Sequence, residues 1–148
     1  MQQIRGVPFT NDVPVICIPV VGKTKEQILE EMQRAAKAGV SMIEWRVDFY
    51  EDMLDVKKVA TLLKEIRAQI GQSVLLMTYR TKAEGGNADF DKNRYATLLY
   101  EIAAADDGKS VDLFDVEYAR CIDPAKTVSV LRAHQIQTVV SYHDFSHT

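Results

Sequence analysis

An α/β fold with a parallel sheet is the architecture this sequence predicts, and three observations predict it. Five short segments rich in β-branched and aromatic residues alternate with four segments whose apolar residues recur at helical spacing. No hairpin signal separates any two of those five strands, which calls for parallel pairing through right-handed crossovers. Charged residues also gather at the carboxyl ends of the strands, where open α/β sheets and barrels bind ligands.

The first strand is read over residues 13–21 (VPVICIPVV), a nearly continuous apolar run of the kind expected when both faces are buried. Gly22 ends it. Thr24 and Gln27 then form a capping-box pattern, in which hydroxyl and amide side chains satisfy free N–H groups at a helix start. Ile28, Met32 and Ala35 follow on one stripe, with Gly39 placed to stop the helix. The unit recurs as a strand over 42–49 and a helix over 55–70, whose stripe is Val56, Val59, Leu63, Ile66 and Ile70, closed by Gly71.

A third strand over 73–80 leads into a polar loop with Gly85 and Gly86, then a helix with Tyr95, Leu98, Leu99 and Ile102 inward. The fourth strand covers 112–118. Pro124 suits the first turn of the fourth helix, because its missing N–H would find no partner there, and the fifth strand covers 138–145. With no linker, low-complexity tract or composition shift, residues 1–148 read as one domain.

Composition excludes several classes. The 148 residues are 47% hydrophobic and 26% charged, with 18 Lys and Arg against 21 Asp and Glu, a net charge of −3. No basic block suits a nucleic-acid scaffold. No apolar run approaches a membrane span, and MQQIRGVPFTNDVP lacks the apolar centre of a signal peptide, so a cytoplasmic protein is expected. Cys17 and Cys121 have neither CxxC spacing nor neighbouring histidines, which suggests buried reduced thiols.

Strand side chains alternate between faces, so Glu44, Arg46 and Asp48 point one way while Trp45 and Val47 point the other. In a covered parallel sheet such charges must line a pocket or pair with each other. The pattern repeats with Arg80 on strand three, Asp115 and Glu117 on strand four, and Ser141 and His143 on strand five. Arginine forks and carboxylates around an imidazole suit a small anionic or hydroxyl-rich ligand, and His143 would move protons if Glu84 orients it. His134 and His147 read as surface residues. Gly22-Lys23-Thr24 copies the end of a phosphate-binding loop, but Cys17 stands where that loop needs glycine. The histidine spacing offers no metal motif, so no metal is expected.

Taken together, Glu44-Trp45-Arg46-Val47-Asp48, Thr78-Tyr79-Arg80-Thr81 with Glu84-Gly85-Gly86, and Ser141-Tyr142-His143-Asp144-Phe145 resemble the amino-terminal part of a type I 3-dehydroquinate dehydratase. Val21-Gly22-Lys23-Thr24 is a weaker piece. The resemblance implies a (β/α)8 TIM barrel, of which this chain would supply about five βα strands as an incomplete barrel. It implies dehydration of 3-dehydroquinate to 3-dehydroshikimate in the shikimate pathway through a Schiff base, with no cofactor. By the same resemblance His143 is the general acid and base, Glu84 orients it, and Glu44, Arg46 and Arg80 bind the hydroxyls of the substrate ring.

Two departures accompany it. Pro19 stands where the family often has a serine that contacts substrate, and the imine-forming lysine would lie on a sixth strand, beyond Thr148. Lys23 and Lys82 are poor substitutes, since nothing around them suggests a desolvated amine. A barrel of this kind takes about 250 residues, so the chain is expected to be too short to close and inactive alone. Its open edge favours association as a homo-oligomer (a dimer) or with a complementing carboxy-terminal fragment. The competing readings are a non-catalytic binding or regulatory protein for a small polyhydroxy acid, and a phosphate-binding protein that uses Gly22 or Gly85-Gly86 at a helix start.

Overall fold

The computed structural model describes residues 2–147. A short antiparallel hairpin, β1 (Gln2–Ile4) and β2 (Val7–Phe9), precedes a five-stranded parallel sheet of β3 (Cys17–Val20), β4 (Met42–Arg46), β5 (Val74–Thr78), β6 (Leu113–Glu117) and β7 (Gln137–Ser141), in that spatial order. The helices α1 (Lys25–Lys37), α2 (Val56–Ile70), α3 (Lys92–Asp106) and α4 (Pro124–Ala133) connect the successive strands of that sheet. The predicted α/β class and all four helices are present.

Local chemistry sets the helix ends as the sequence indicates. Thr24 accepts the Gln27 N–H while the Gln27 side chain accepts the Thr24 N–H, so both halves of the capping box form. Asp55, Asp91 and Asp123 cap the other three helices by accepting the N–H groups of Lys58, Arg94 and Lys126. Gly39 takes a φ of +74° just past α1, a conformation that an L side chain would resist.

The sheet separates two environments. Ile43, Trp45, Leu75, Met77, Phe114 and Val116 face the helices and pack with Ile28, Met32, Leu63, Ile66, Leu99 and Leu131 into the main core. The opposite, inner face starts apolar at its amino-terminal end, where Met42, Val74, Leu76 and Leu113 pack with Ile4 of the hairpin. Further along the same strands this face carries Glu44, Arg46, Asp115 and Glu117. The charged end is therefore built directly on a packed apolar floor.

Four strand boundaries differ from expectation, and one of them is the third strand's, which stops at Thr78 and leaves Arg80 two residues beyond it. The first strand begins at Cys17 rather than at residue 13, because its one neighbour among the described residues, β4, begins opposite at Met42 and leaves residues 13–16 without a ladder partner. It is also not covered on both faces: Val13 and Ile16 are 69% and 75% exposed, and Ile18 is exposed as well. The second strand stops at Arg46 and passes into a 3-10 turn, Val47–Phe49, so Asp48 reaches the inner face by a turn rather than by alternation. The fifth ends at Ser141, which pairs with the last residue of β6, so His143 lies two residues beyond the strand.

The hairpin has no counterpart in the sequence reading. Its strands are three residues long, too short for a period to show, and its turn is Arg5-Gly6 with φ of +49° and +77°. Such a turn needs positive φ at both positions, and arginine is an unusual first residue for it. A half-buried ion cluster compensates by anchoring the turn. Asp112 accepts Arg5 Nε at 2.6 Å, Arg67 Nη2 at 2.7 Å and the Leu75 N–H at 2.9 Å. Arg67 spends its other donors on the carbonyls of Ser110, Gly71 and Ser73.

Asp112→Ala strands two guanidiniums and a backbone N–H, and is expected to cost about 2–4 kcal/mol of stability. Urea unfolding measures it, and a loss below about 0.5 kcal/mol, the level of an exposed pair, would contradict this role for the cluster.

Candidate active site

The charged ends of β4 to β7 meet at Arg80, just past β5. Its Nη1 lies 3.1 Å from Asp115 Oδ2, 3.1 Å from Glu117 Oε1 and 3.0 Å from Ser141 Oγ. Ser141 in turn donates to Asp115 Oδ2 at 2.8 Å. Glu117 also accepts the Thr81 N–H at 2.9 Å and the Thr81 hydroxyl at 2.7 Å. The Arg80 side chain is only 11% exposed. Burial works against its charge, but Asp115 and Glu117 outweigh that penalty and raise its pKa further.

Arg46 and Asp48 form a second cluster. Arg46 donates through Nε and Nη2 to the two Asp48 oxygens, each at 2.8 Å, and its guanidinium lies 5.0 Å from the centre of the Phe49 ring. Asp48 further accepts the Arg80 N–H at 3.3 Å and both the backbone and side-chain N–H groups of Asn87 at 3.1 Å. Arg46 is thus aimed by a buried acid that the sequence placed on the same face.

After β5 the chain folds back over residues 81–88. Gly86 donates to Thr81 O at 2.8 Å, and a Cβ on it would stand 2.1 Å from Arg80 O, so only glycine fits. This turn carries Glu84 inward until its side chain is 2% exposed. Glu84 Oε1 then accepts two bonds from residue 143, the backbone N–H at 2.8 Å and ring Nδ1 at 3.0 Å. A carboxylate only accepts, so Nδ1 carries the hydrogen of this bond, and in the neutral ring the lone pair is then on Nε2. The imidazole itself is 40% exposed, open to a ligand.

Of the five predicted site residues, four fall into these clusters: Arg46, Arg80, Glu84 and His143. Glu44 shares the inner face but makes no hydrogen bond or ion pair among the described residues; its charge acts on Cys17. Burial first, and then Glu44, push the Cys17 thiol up to about 11, which makes it a poor nucleophile. His134 and His147 pair with Asp107 and Asp144 away from the clusters. Lys82 is exposed and paired with Asp89. Among the described residues no group of three His, Cys, Asp or Glu is placed to hold a metal.

The sequence pointed to Asp48, Asp115, Glu117 and Ser141 by face, but not to their joint grip on the two arginines. Asn87 and Arg120 sit in loops where no period operates, and carried no signal. The phosphate-loop reading loses its donors: the Gly85 and Gly86 N–H groups go to Lys82 O and Thr81 O, and those of Lys23 and Thr24 go to the Gln27 side chain.

Comparison with known proteins points to one family. A family model described as type I 3-dehydroquinase matches residues 16–148. The 3-dehydroquinate dehydratase of Clostridium botulinum is 35% identical over 147 residues, covering 99% of this chain and 57% of that protein. The solved 3-dehydroquinate dehydratase from Enterococcus faecalis superposes with a TM-score of 0.89 at 30% identity, over 98% of this chain and 60% of that one. The type I enzyme from Clostridium difficile, solved with covalently modified comenic acid, superposes with a TM-score of 0.90 at 33% identity, over 99% and 57%. The chain thus spans between 57% and 60% of the length of these relatives.

Burial raises the pKa of both Asp115 and Glu117, and the bonds from Arg80, Ser141 and Thr81 only partly offset it. A raised acid holds its proton more tightly folded than unfolded. Stability therefore falls as pH rises from the ordinary values of 3.8 and 4.5 through the raised ones. Asp115→Asn and Glu117→Gln are each expected to flatten that fall, read as urea midpoints across the acid-to-neutral range. Wild-type and variant curves that run parallel would contradict it.

Proposed function

Because the chain belongs to the type I 3-dehydroquinase family, we propose that it carries the proton-transfer and hydroxyl-binding part of a site that dehydrates 3-dehydroquinate to 3-dehydroshikimate in the shikimate pathway. The family fold is a (β/α)8 barrel, and the five parallel strands here are an incomplete portion of it. In this reading residues 1–148 act as one unit.

The observation that carries the proposal is the double bond-pair from residue 143 to Glu84 Oε1. It fixes the ring and leaves Nε2 to exchange protons, which a mere binding pocket would not require. The net chemistry is loss of one water. A lysine amine adds to the ketone, whose oxygen leaves as water to give an imine; a proton beside the imine carbon and a ring hydroxide then leave as a second water. One water returns to hydrolyse the imine. His143 relays the protons in these steps, and Glu84 offsets the charge on its ring when protonated.

Glu44, Arg46 and Arg80 bind the ring hydroxyls. Arg80 Nη1 is occupied by protein, so its Nε and Nη2 are the donors that remain for ligand, as is Nη1 of Arg46. The site is rich in carboxylates, which suits hydroxyls better than phosphates. No metal or organic cofactor enters the scheme. The reading also assigns the chain to the cytosol, without nucleic-acid or membrane partners; among the described residues no helix is long and apolar enough to cross a membrane.

The imine-forming lysine comes, in this proposal, from a complementing carboxy-terminal segment that completes the barrel. β3 and β7 each have one neighbour in the sheet, and Ile16, Ile18, Val139 and Val140 are exposed along those two edges. A homo-dimer is the weaker choice, since two copies would bring ten strands to a fold that closes with eight.

Borohydride reduction with 3-dehydroquinate tests the scheme when the chain is mixed with the carboxy-terminal segment of the Clostridium botulinum relative. The mass adduct is expected on the added segment, and an adduct on the 148-residue chain would contradict the assignment. Arg80→Lys keeps the buried charge but loses the fork, and is expected to weaken 3-dehydroquinate binding roughly tenfold or more. Calorimetric titration measures this, and unchanged affinity would remove Arg80 from the binding set.

A further inference from the structure

Glu84 is only half accounted for by His143. Its Oε1 accepts two bonds, but its Oε2 is buried without a hydrogen-bond donor among the described residues. A carboxylate oxygen sealed from water and left without a partner is costly. Arg120 Nε, equally buried and equally without a hydrogen-bond partner, faces it at 3.9 Å. Two opposite orphans facing each other beside the proton-transfer pair call for a common explanation.

The surrounding charges supply one. Asp115 and Glu117 approach from β6, Arg80 from the end of β5, and His143 from the segment after β7. Arg80 is already shared between Asp115 and Glu117. Asp144, next to His143, is turned into its own loop, where it accepts the N–H groups of Ser146 and His147. Glu84 is thus a third acid in a group with one other cation, and Arg120 is the only further cation within 4 Å of it among the described residues.

The backbone holds this cation in register with its acid. The Arg120 N–H donates to Glu117 O at 3.2 Å, while the Glu117 side chain grips Thr81, whose carbonyl accepts the Glu84 N–H at 3.0 Å. One residue of β6 therefore fixes both partners.

We infer that Arg120 is a positioning residue: by facing Glu84 Oε2 it holds the carboxylate turned so that Oε1 stays on His143 Nδ1. The inference rests on the proposed Glu84–His143 pair. Without Arg120, the uncompensated oxygen turns toward water, and Oε1 leaves the ring. His143 then reverts to the tautomer that free imidazole prefers, with the hydrogen on Nε2, and loses the lone pair that faces substrate.

The ring-nitrogen shifts of the 15N-labelled, 148-residue chain report that tautomer directly, with the His143 signals assigned by their loss in His143→Ala. The wild type is expected to be mainly the Nδ1–H form. Arg120→Gln is expected to turn that majority into a minority, and Arg120→Lys, which restores a cation, to keep it. A wild-type pattern in Arg120→Gln overturns the inference, and so does loss of the pattern in both variants, which would deny the role of charge. Glu84→Ala separates the two readings: if it leaves the tautomer unchanged, the Glu84–His143 pair itself fails, whereas scrambling there with no change in Arg120→Gln removes Arg120 alone. Circular dichroism of each variant checks that the fold is kept.

Discussion

One guanidinium nitrogen joins three strand ends of this sheet. Nη1 of Arg80, just past β5, binds Asp115 and Glu117 of β6 and Ser141 of β7, while the Arg80 N–H reaches Asp48 after β4. Four consecutive strands are thereby fixed at a single residue. The acids it holds are buried, and their repulsion would open the sheet if the cation were withdrawn. Every other part of the site hangs from this tie: the turn over 81–86 through Thr81 and Glu117, Arg46 through Asp48, and His143 through Ser141 two residues before it.

The same device recurs at the opposite end of the sheet with a different outcome. There Asp112 is one acid between two arginines, Arg5 and Arg67, and the donors that Arg67 has left go to backbone carbonyls. At the carboxyl end the balance reverses: acids outnumber cations, donors remain unspent on Arg46 and Arg80, and an imidazole stands half in solvent. Between the two lies an apolar layer of Met42, Val74, Leu76 and Leu113. The fold thus places at one end an ion cluster in which cations outnumber acids, and at the other one with unspent donors, which in the proposed function go to a polyhydroxy ligand.

What was legible in the sequence follows from how local each signal is. The four helices were readable because caps and stripes act within a turn or two: Thr24 with Gln27, Pro124, and the Ile28, Met32, Ala35 row. The inner face was readable because strand alternation put Glu44 with Arg46 and Asp115 with Glu117. Strand ends were not, since they depend on where a distant neighbour begins and stops, as Cys17 opposite Met42 and Ser141 opposite Glu117 demonstrate. The hairpin escaped for want of length, and Asn87 and Arg120 escaped because loop residues acquire partners only through the tertiary fold. Even Asp48, assigned to the right face, arrives there by a 3-10 turn that alternation does not foresee.

The most direct test of the account is turnover of 3-dehydroquinate by this chain combined with a barrel-completing carboxy-terminal segment from a relative, followed through the absorbance of the conjugated enone product. The account expects turnover only in the mixture, with His143→Ala in the 148-residue chain lowering it by a factor of about 10² or more. Turnover that survives His143→Ala undiminished would contradict the central claim that this chain supplies the proton-transfer group.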